Sequence, residues 1–352
     1  MRRRSGIAFA LCVSLLVACT GSSTSTTPSG SASAAATADP ATAFKGTTVK
    51  VAKSAGTAVD DAAVGYWAKS MNDKYGITIK FDFTSATDVS LRAVVSNQDD
   101  MAVAMSLTDV VNLVKQSSSD VRIIAADTYA SDYQMVAKSS IASIADLKGK
   151  TQGISAPGDA SELVMHLCLN NQGFDYSSLK IIRIGGTSAR VAALLAGQID
   201  FGAAHIADAN TAVAKSNGAL KILSDCGKTV GNYPVTGMIT TGGWLKANPK
   251  LAQVIVDGYI DAMRWAAGNK DQFITFAKTW VPDANPDGIG PAWDYFKAVN
   301  FWPVNGGIDI PSVETYIGYA AQLGVLTGKI PTTDIWVDGT YVNNYLARNG
   351  KK

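Results

Sequence analysis

Histidine is almost missing from this chain of 352 residues: there are two, His166 and His205, beside four cysteines. With no close Cys/His cluster, a metal site has no support and no cofactor is implied. No Ser/His/Asp or Cys/His constellation is readable either, so the residues offer no catalytic centre. Charge of one sign is also lacking. Three of the 31 basic residues are Arg2, Arg3 and Arg4, which leaves 28 against 29 acidic ones. That balance gives no reason to expect a nucleic-acid partner. Past residue 18, no stretch approaches the uninterrupted apolar length a membrane-spanning helix needs. Gly227-Lys228-Thr229 has the tail of a phosphate-binding loop, but Ile222 stands where its first glycine belongs.

What is present begins at the N-terminus. The three arginines precede an apolar run, Gly6 to Val17, and Leu16-Val17-Ala18-Cys19 fits the lipoprotein signal-peptide pattern. Residues 1–18 are then a cleaved signal, and Cys19 becomes the lipid-bearing first residue, the only membrane anchor. Residues 19–45 are nearly all Ser, Thr, Ala, Gly and Pro, a flexible tether. This arrangement suits the outer face of a bacterial cytoplasmic membrane. Of the cysteines, Cys12 leaves with the signal, and Cys168 and Cys226 remain in an oxidising compartment. Spacing leaves both a disulfide and two buried thiols open.

From Thr47 onward, short apolar strands alternate with amphipathic helices, the pattern of parallel sheets covered on both faces. Thr57 with Asp60, and Ser143 with Asp146, have the spacing of capping boxes. Sliding the chain by 100 residues lays 81–117 on 181–217 without a gap. Thr87, Ala93, Gln98, Asp100, Ala104 and Lys115 then meet identical residues. Six matches are few, but strands, caps and helices also fall in the same order. The body of roughly 305 residues is therefore expected to be α/β, with two similar lobes, each a doubly wound and mainly parallel sheet.

Three stretches carry a family resemblance: Ile144-Ala-Asp-Leu-Lys-Gly-Lys150, Gly185-Gly-Thr-Ser-Ala-Arg190 and Ala192-Ala-Leu-Leu-Ala-Gly-Gln-Ile-Asp200. In these the chain resembles the type II periplasmic solute-binding proteins of ABC importers. The group in question includes nitrate, sulfonate, taurine and thiamine-pyrimidine-precursor binders. The resemblance implies a non-catalytic, monomeric receptor for a small polar or anionic organic solute (a sulfonate, carboxylate, nitrate or pyrimidine-like compound). It also implies two lobes joined by two crossover strands, near Asp127–Val136 and Tyr233–Thr240, so that lobe one spans 46–128 and 241–352 and lobe two 129–240. An ABC permease and its ATPase are the partners it implies. An enzyme on the same bilobal scaffold, and a sensor lipoprotein without a transporter, are the alternatives.

Open parallel sheets bind ligands outside the carboxyl ends of their strands, against free helix N-termini. That rule nominates four turns, which contain Gly56 and Thr57; Ser106 and Thr108; Ser155 and Asp159; and Gly186, Thr187 and Ser188. Each turn equally suits plain N-capping. His205 aligns with Met105 in the repeat, and the two are expected to face the cleft from opposite lobes. Tyr133 and Tyr233, on the expected crossovers, are candidates to wall the cleft, as is Tyr129; packing at the hinge competes for each. Arg190 suits an anion or the solvent face. His166 reads as a solvated partner of Glu162 one turn earlier.

Overall fold

A computed structural model describes residues 40–117 and 119–352, so the leader and Cys19 lie outside it. The first sheet contains β1 (Thr48–Ser54), β2 (Thr78–Thr84), β3 (Met101–Ser106) and β4 (Val121–Thr128). The chain then crosses through 129–132 into a second sheet. There it forms β5 (Tyr133–Lys138), β6 (Thr151–Ile154), β7 (Lys180–Arg183), β8 (Phe201–His205) and β9 (Leu220–Asp225). It returns through 231–235 to add β10 (Thr236–Thr241) to the first sheet. The strand orders are β2-β1-β3-β10-β4 and β7-β6-β8-β5-β9.

These orders are the same order twice. In each sheet four strands run parallel and one, β10 or β5, runs against its two neighbours. The weak internal repeat is thus a structural one. The Asp100 carboxylate accepts the Lys50 N–H at 2.8 Å, and Asp200 accepts that of Thr151 at 2.9 Å. Both aspartates tie the start of an inner strand to the strand beside it. Likewise the Gln98 and Gln198 N–H groups close helices onto the Ala93 and Ala193 carbonyls, each at 2.9 Å. Conserving a backbone closure needs few identical side chains, which is why so few remain.

The inner strands bury both faces, so they read as near-continuous apolar runs: all of Met101–Ser106 except Ala104 is buried. Behind the first sheet, the Pro249–Gly268 helix lays Tyr259 edge-on to Trp67 of the Ala62–Tyr75 helix, with ring centroids 5.2 Å apart. A smaller cluster of Val136, Ala193, Leu194, Ile199 and Ala209 fills one side of the second sheet. No described helix is long and apolar enough to cross a membrane.

Several local expectations are corrected. Thr57 and Asp60 form no capping box, because the helix starts later, at Ala62. Its N-cap is Asp61, whose Oδ1 accepts the Ala58 N–H at 3.1 Å. The Ser143–Asp146 box is present but caps a single turn, Ile144–Leu147. Within the expected tether, Pro40–Ala43 forms a helical turn and Phe44 packs against the core. Cys168 and Cys226 are bonded, with Cα atoms 5.2 Å apart, joining the Ala160–Asn170 and Cys226–Val230 helices.

Candidate functional site

Both sheets point the carboxyl ends of their parallel strands at one cavity of about 160 Å³. It is lined by residues at or just past the carboxyl ends of β1, β2, β3, β4, β6, β7 and β8, and by the first turns of helices that follow them. All four nominated turns contribute to it. Of the twelve nominated ligand residues, Thr57, Ser106, Tyr133, Ser155, Asp159, Gly186, Thr187, Ser188 and His205 line it. The other three do not. Gly56 offers its carbonyl to Lys53 instead, and Thr108 spans the mouth by donating its hydroxyl to the Gly158 carbonyl. The Tyr233 hydroxyl lies 3.3 Å from that of Tyr319, packed on the Ile310–Gln322 helix. Tyr129 is likewise occupied elsewhere, bonding Asp309 and Ser312, both at 2.9 Å. Met105 turns into the core rather than toward the cavity, leaving its neighbours Ala104 and Ser106 as the lining.

The lobes meet at several places, three of them around this mouth; elsewhere Tyr295 of the Pro286–Ala298 helix donates to Asp225 and accepts from Gln134. A Cβ on Gly186 would stand 2.9 Å from the Ala55 Cβ, so the missing side chain lets the turn of one lobe touch the turn of the other. The Thr108–Gly158 bond is the second contact, and an exposed Arg183–Asp88 ion pair at 3.0 Å is the third.

Arg190, which the sequence allowed on the solvent face, is 1% exposed. Its guanidinium donates to the Ala203 carbonyl at 2.8 Å, the Gly185 carbonyl at 2.6 Å and Thr187 Oγ1 at 3.1 Å. It therefore fixes the Gly185–Thr187 turn to the end of β8, and it also lies 5.9 Å from the Tyr133 ring centre. A buried cation bonded only to neutral acceptors keeps its charge available to the cleft.

His205 caps β8 and sits between two carboxylates. Its Nδ1 is 2.8 Å from Asp132 Oδ1 and 3.5 Å from Asp60 Oδ2, and the other Asp132 oxygen takes the Ile206 N–H at 3.2 Å. Burial alone would lower the imidazole pKa, but Asp132 and Asp60 outweigh it and hold the value well above the usual one. Asp60 is itself pushed up to about 7, chiefly by burial, against the pull of His205. One ligand atom each from Asp60, Asp132 and His205 falls within 4.8 Å of the others, a trio the sparse histidines gave no reason to expect. His166 is no partner of Glu162: it stacks on Tyr176 with centroids 3.8 Å apart, while Glu162 takes the Gly158 N–H.

Sequence reasoning missed Lys53, Asp61, Asp127, Asp132 and Asp208, all of which line the cavity. Lys53, 3% exposed, pairs with Asp61. Asp127 accepts the Tyr259 hydroxyl and the Ala104 N–H. Ala104 has a φ of 59°, in the left-handed region a non-glycine residue seldom visits, and such strain collects at functional sites.

A family model described as NMT1/THI5 like matches residues 64–272. No curated protein matches the chain. Among solved structures, one that it resembles is the ligand-binding component of an ABC-type import system from Staphylococcus aureus with zinc bound. The likeness is at 12% identity and a TM-score of 0.71, over 85% of this chain and 99% of that one. A second is the periplasmic nitrate-binding protein NrtA from Synechocystis PCC 6803, at 13% identity and a TM-score of 0.69, over 86% and 89%. A third is the desulfurization enzyme DSZB, at 14% identity and a TM-score of 0.57, over 86% and 99%. The shared fold is that of the type II periplasmic binding proteins.

Proposed function

The chain belongs to the NMT1/THI5-like family, and on that premise we propose that it is the solute receptor of an ABC importer, not an enzyme. It captures a small polar or anionic organic compound between its lobes and delivers it to a permease driven by an ATPase. The observation that carries this reading is the cavity itself. It is closed by two lobes, ringed by helix N-termini and sized for a small solute. The Gly186–Ser188 turn, with the Arg190 charge behind it, suits an anionic or strongly polar group. The enzyme reading draws support from DSZB alone, and among the described residues His205 has only carboxylates within hydrogen-bond reach, not a nucleophile.

Segments 129–132 and 231–235 are the hinges in this reading, and the three mouth contacts break when the lobes open. Solutes found by a thermal-shift screen of sulfonates, carboxylates, nitrate and aminopyrimidines should shrink the radius of gyration in small-angle scattering. Gly186 has ordinary helix-entry backbone angles, so Gly186→Val folds but meets Ala55 on closing. Its affinity should fall at least tenfold, and its radius should stay at the open value. Wild-type contraction by this variant would refute closure at that contact.

We also propose attachment to the outer face of the cytoplasmic membrane through lipid on Cys19. A Cys19→Ala chain should be uncleaved or released; a fully processed variant that stays on membranes would rule the anchor out.

A further inference from the structure

The cleft is unbalanced in charge. Asp60, Asp61, Asp127, Asp132, Asp159 and Asp208 line it, against Lys53, Arg190 and His205. Four of the carboxylates have donors of their own. Asp61 holds Lys53, and Asp127 holds Tyr259 and the Ala104 N–H. Asp132 holds His205 and the Ile206 N–H, and Asp159 caps its helix through Glu162 and Ser161. The other two are left over. Among the described residues, Asp60 has one polar contact, His205 at 3.5 Å, and Asp208 has no hydrogen bond or ion pair. Both interact electrostatically with the same imidazole, Asp60 from lobe one and Asp208 from lobe two. Both are partly buried, and burial raises the pKa of each, the direction expected where a carboxylate is withdrawn from water with few donors in return.

Resting on the receptor reading, we infer that the transported solute carries a protonated nitrogen, an ammonium or amidinium group, which Asp60 and Asp208 clamp from opposite lobes beside the His205–Asp132 pair. An organic cation fits better than a metal ion. A metal on Asp60, Asp132 and His205 would have to strip the imidazole of a proton that two carboxylates hold. An ammonium leaves that pair intact and supplies the donors that Asp60 and Asp208 lack. The cavity, about 160 Å³, also far exceeds the ~30 Å³ share of a water-sized occupant. Closing the lobes brings the two carboxylates onto one cation, so its charge would favour the closed state.

The test uses probe pairs that differ in the charged nitrogen: taurine against isethionate, β-alanine against propionate, and aminomethylpyrimidine against hydroxymethylpyrimidine. Calorimetry should give at least one amine probe a tenfold or greater advantage over its amine-free mate, and Asp208→Asn should erase that advantage. Without any probe, Asp208→Asn should melt about 2 °C higher or more, because an uncompensated charge leaves the empty cleft. Lower melting of Asp208→Asn, equal or tighter binding of the amine-free mates, displacement of amines by Zn²⁺, or failure of every amine probe would each overturn the inference. If amine-free mates or nitrate bind and scattering still contracts, only the cationic group is wrong. If nothing contracts the protein, the receptor reading fails as well.

Discussion

Arg190→Met should lower the melting temperature by roughly 4–6 °C, a loss of about 3 kcal/mol. Methionine fills the volume of the aliphatic stem but donates nothing. The Ala203 and Gly185 carbonyls and the Thr187 hydroxyl, all bonded to the buried guanidinium, lose their donor together. Unpaired buried acceptors cost more than the bonds were worth, which is why one side chain can matter this much. The same change frees the Gly185–Thr187 turn from the end of β8, so affinity for any solute seated there should fall with stability. Arg190→Lys should recover part of the charge but not the three-way fork, and it should melt between the two. A melting temperature within 2 °C of wild type for the methionine variant would mean the turn is held by something other than Arg190.

A second large effect is expected from pH. Burial lifts Asp60 and Asp127 to about 7 and Asp109 to about 8, from an ordinary 3.8. Between roughly pH 4 and 8 the folded chain therefore holds protons that the unfolded chain has already released. Stability must fall as pH rises through that window. His205 acts with the same sign. Its raised value gives stability that is complete below 6.5 and is lost as pH climbs past the folded value. Asp88, Asp200 and Asp225 act oppositely: despite partial burial, bonds to Arg92, Lys138 and Tyr295 hold them low. Their contribution disappears only below their ordinary value. The melting temperature of the unliganded protein should thus peak near pH 5 and drop by several degrees at pH 8, a difference of a few kcal/mol. A flat profile, or a maximum at pH 8, would contradict these assignments.

The alternation of strands and helices, the paired lobes and the four strand-end turns were legible because each follows from backbone periodicity. A strand buried on both faces must be apolar throughout, and the chain must turn at its end. The acidic part of the cleft was not legible, since Asp60, Asp132 and Asp208 come from three separate segments. Two signals were nevertheless present. Lys53 interrupts the apolar run of β1, and Asp127 closes that of β4; a charge inside a buried strand needs a partner or a purpose. Asp132 and Asp208 carry no such mark: an acid in the crossover before β5, or in the first turn of a helix, is ordinary. Thr57 misled because Asp60 and Asp61 are adjacent acids, and spacing does not say which one caps. His166 misled because Glu162 stands at the right interval, whereas Tyr176, its actual neighbour, arrives from beyond the helix. Arg190 lay two residues past the expected binding turn, but only the tertiary fold shows that it is buried there.

The bond between Cys168 and Cys226 has a mechanical consequence. Both ends lie inside the lobe that begins at β5, and Cys226 opens the last helix before the chain leaves through 231–235. The cross-link therefore stiffens one leaf of the molecule up to the threshold of the hinge and stops there. No described disulfide ties one leaf to the other, so in the receptor reading the two leaves would move against each other on segments 129–132 and 231–235. Opposing the swing are the contacts at the mouth, a methyl against a glycine, one hydroxyl and one exposed ion pair, together with the Tyr295 hydroxyl, which reaches from the Pro286–Ala298 helix to Asp225 and Gln134.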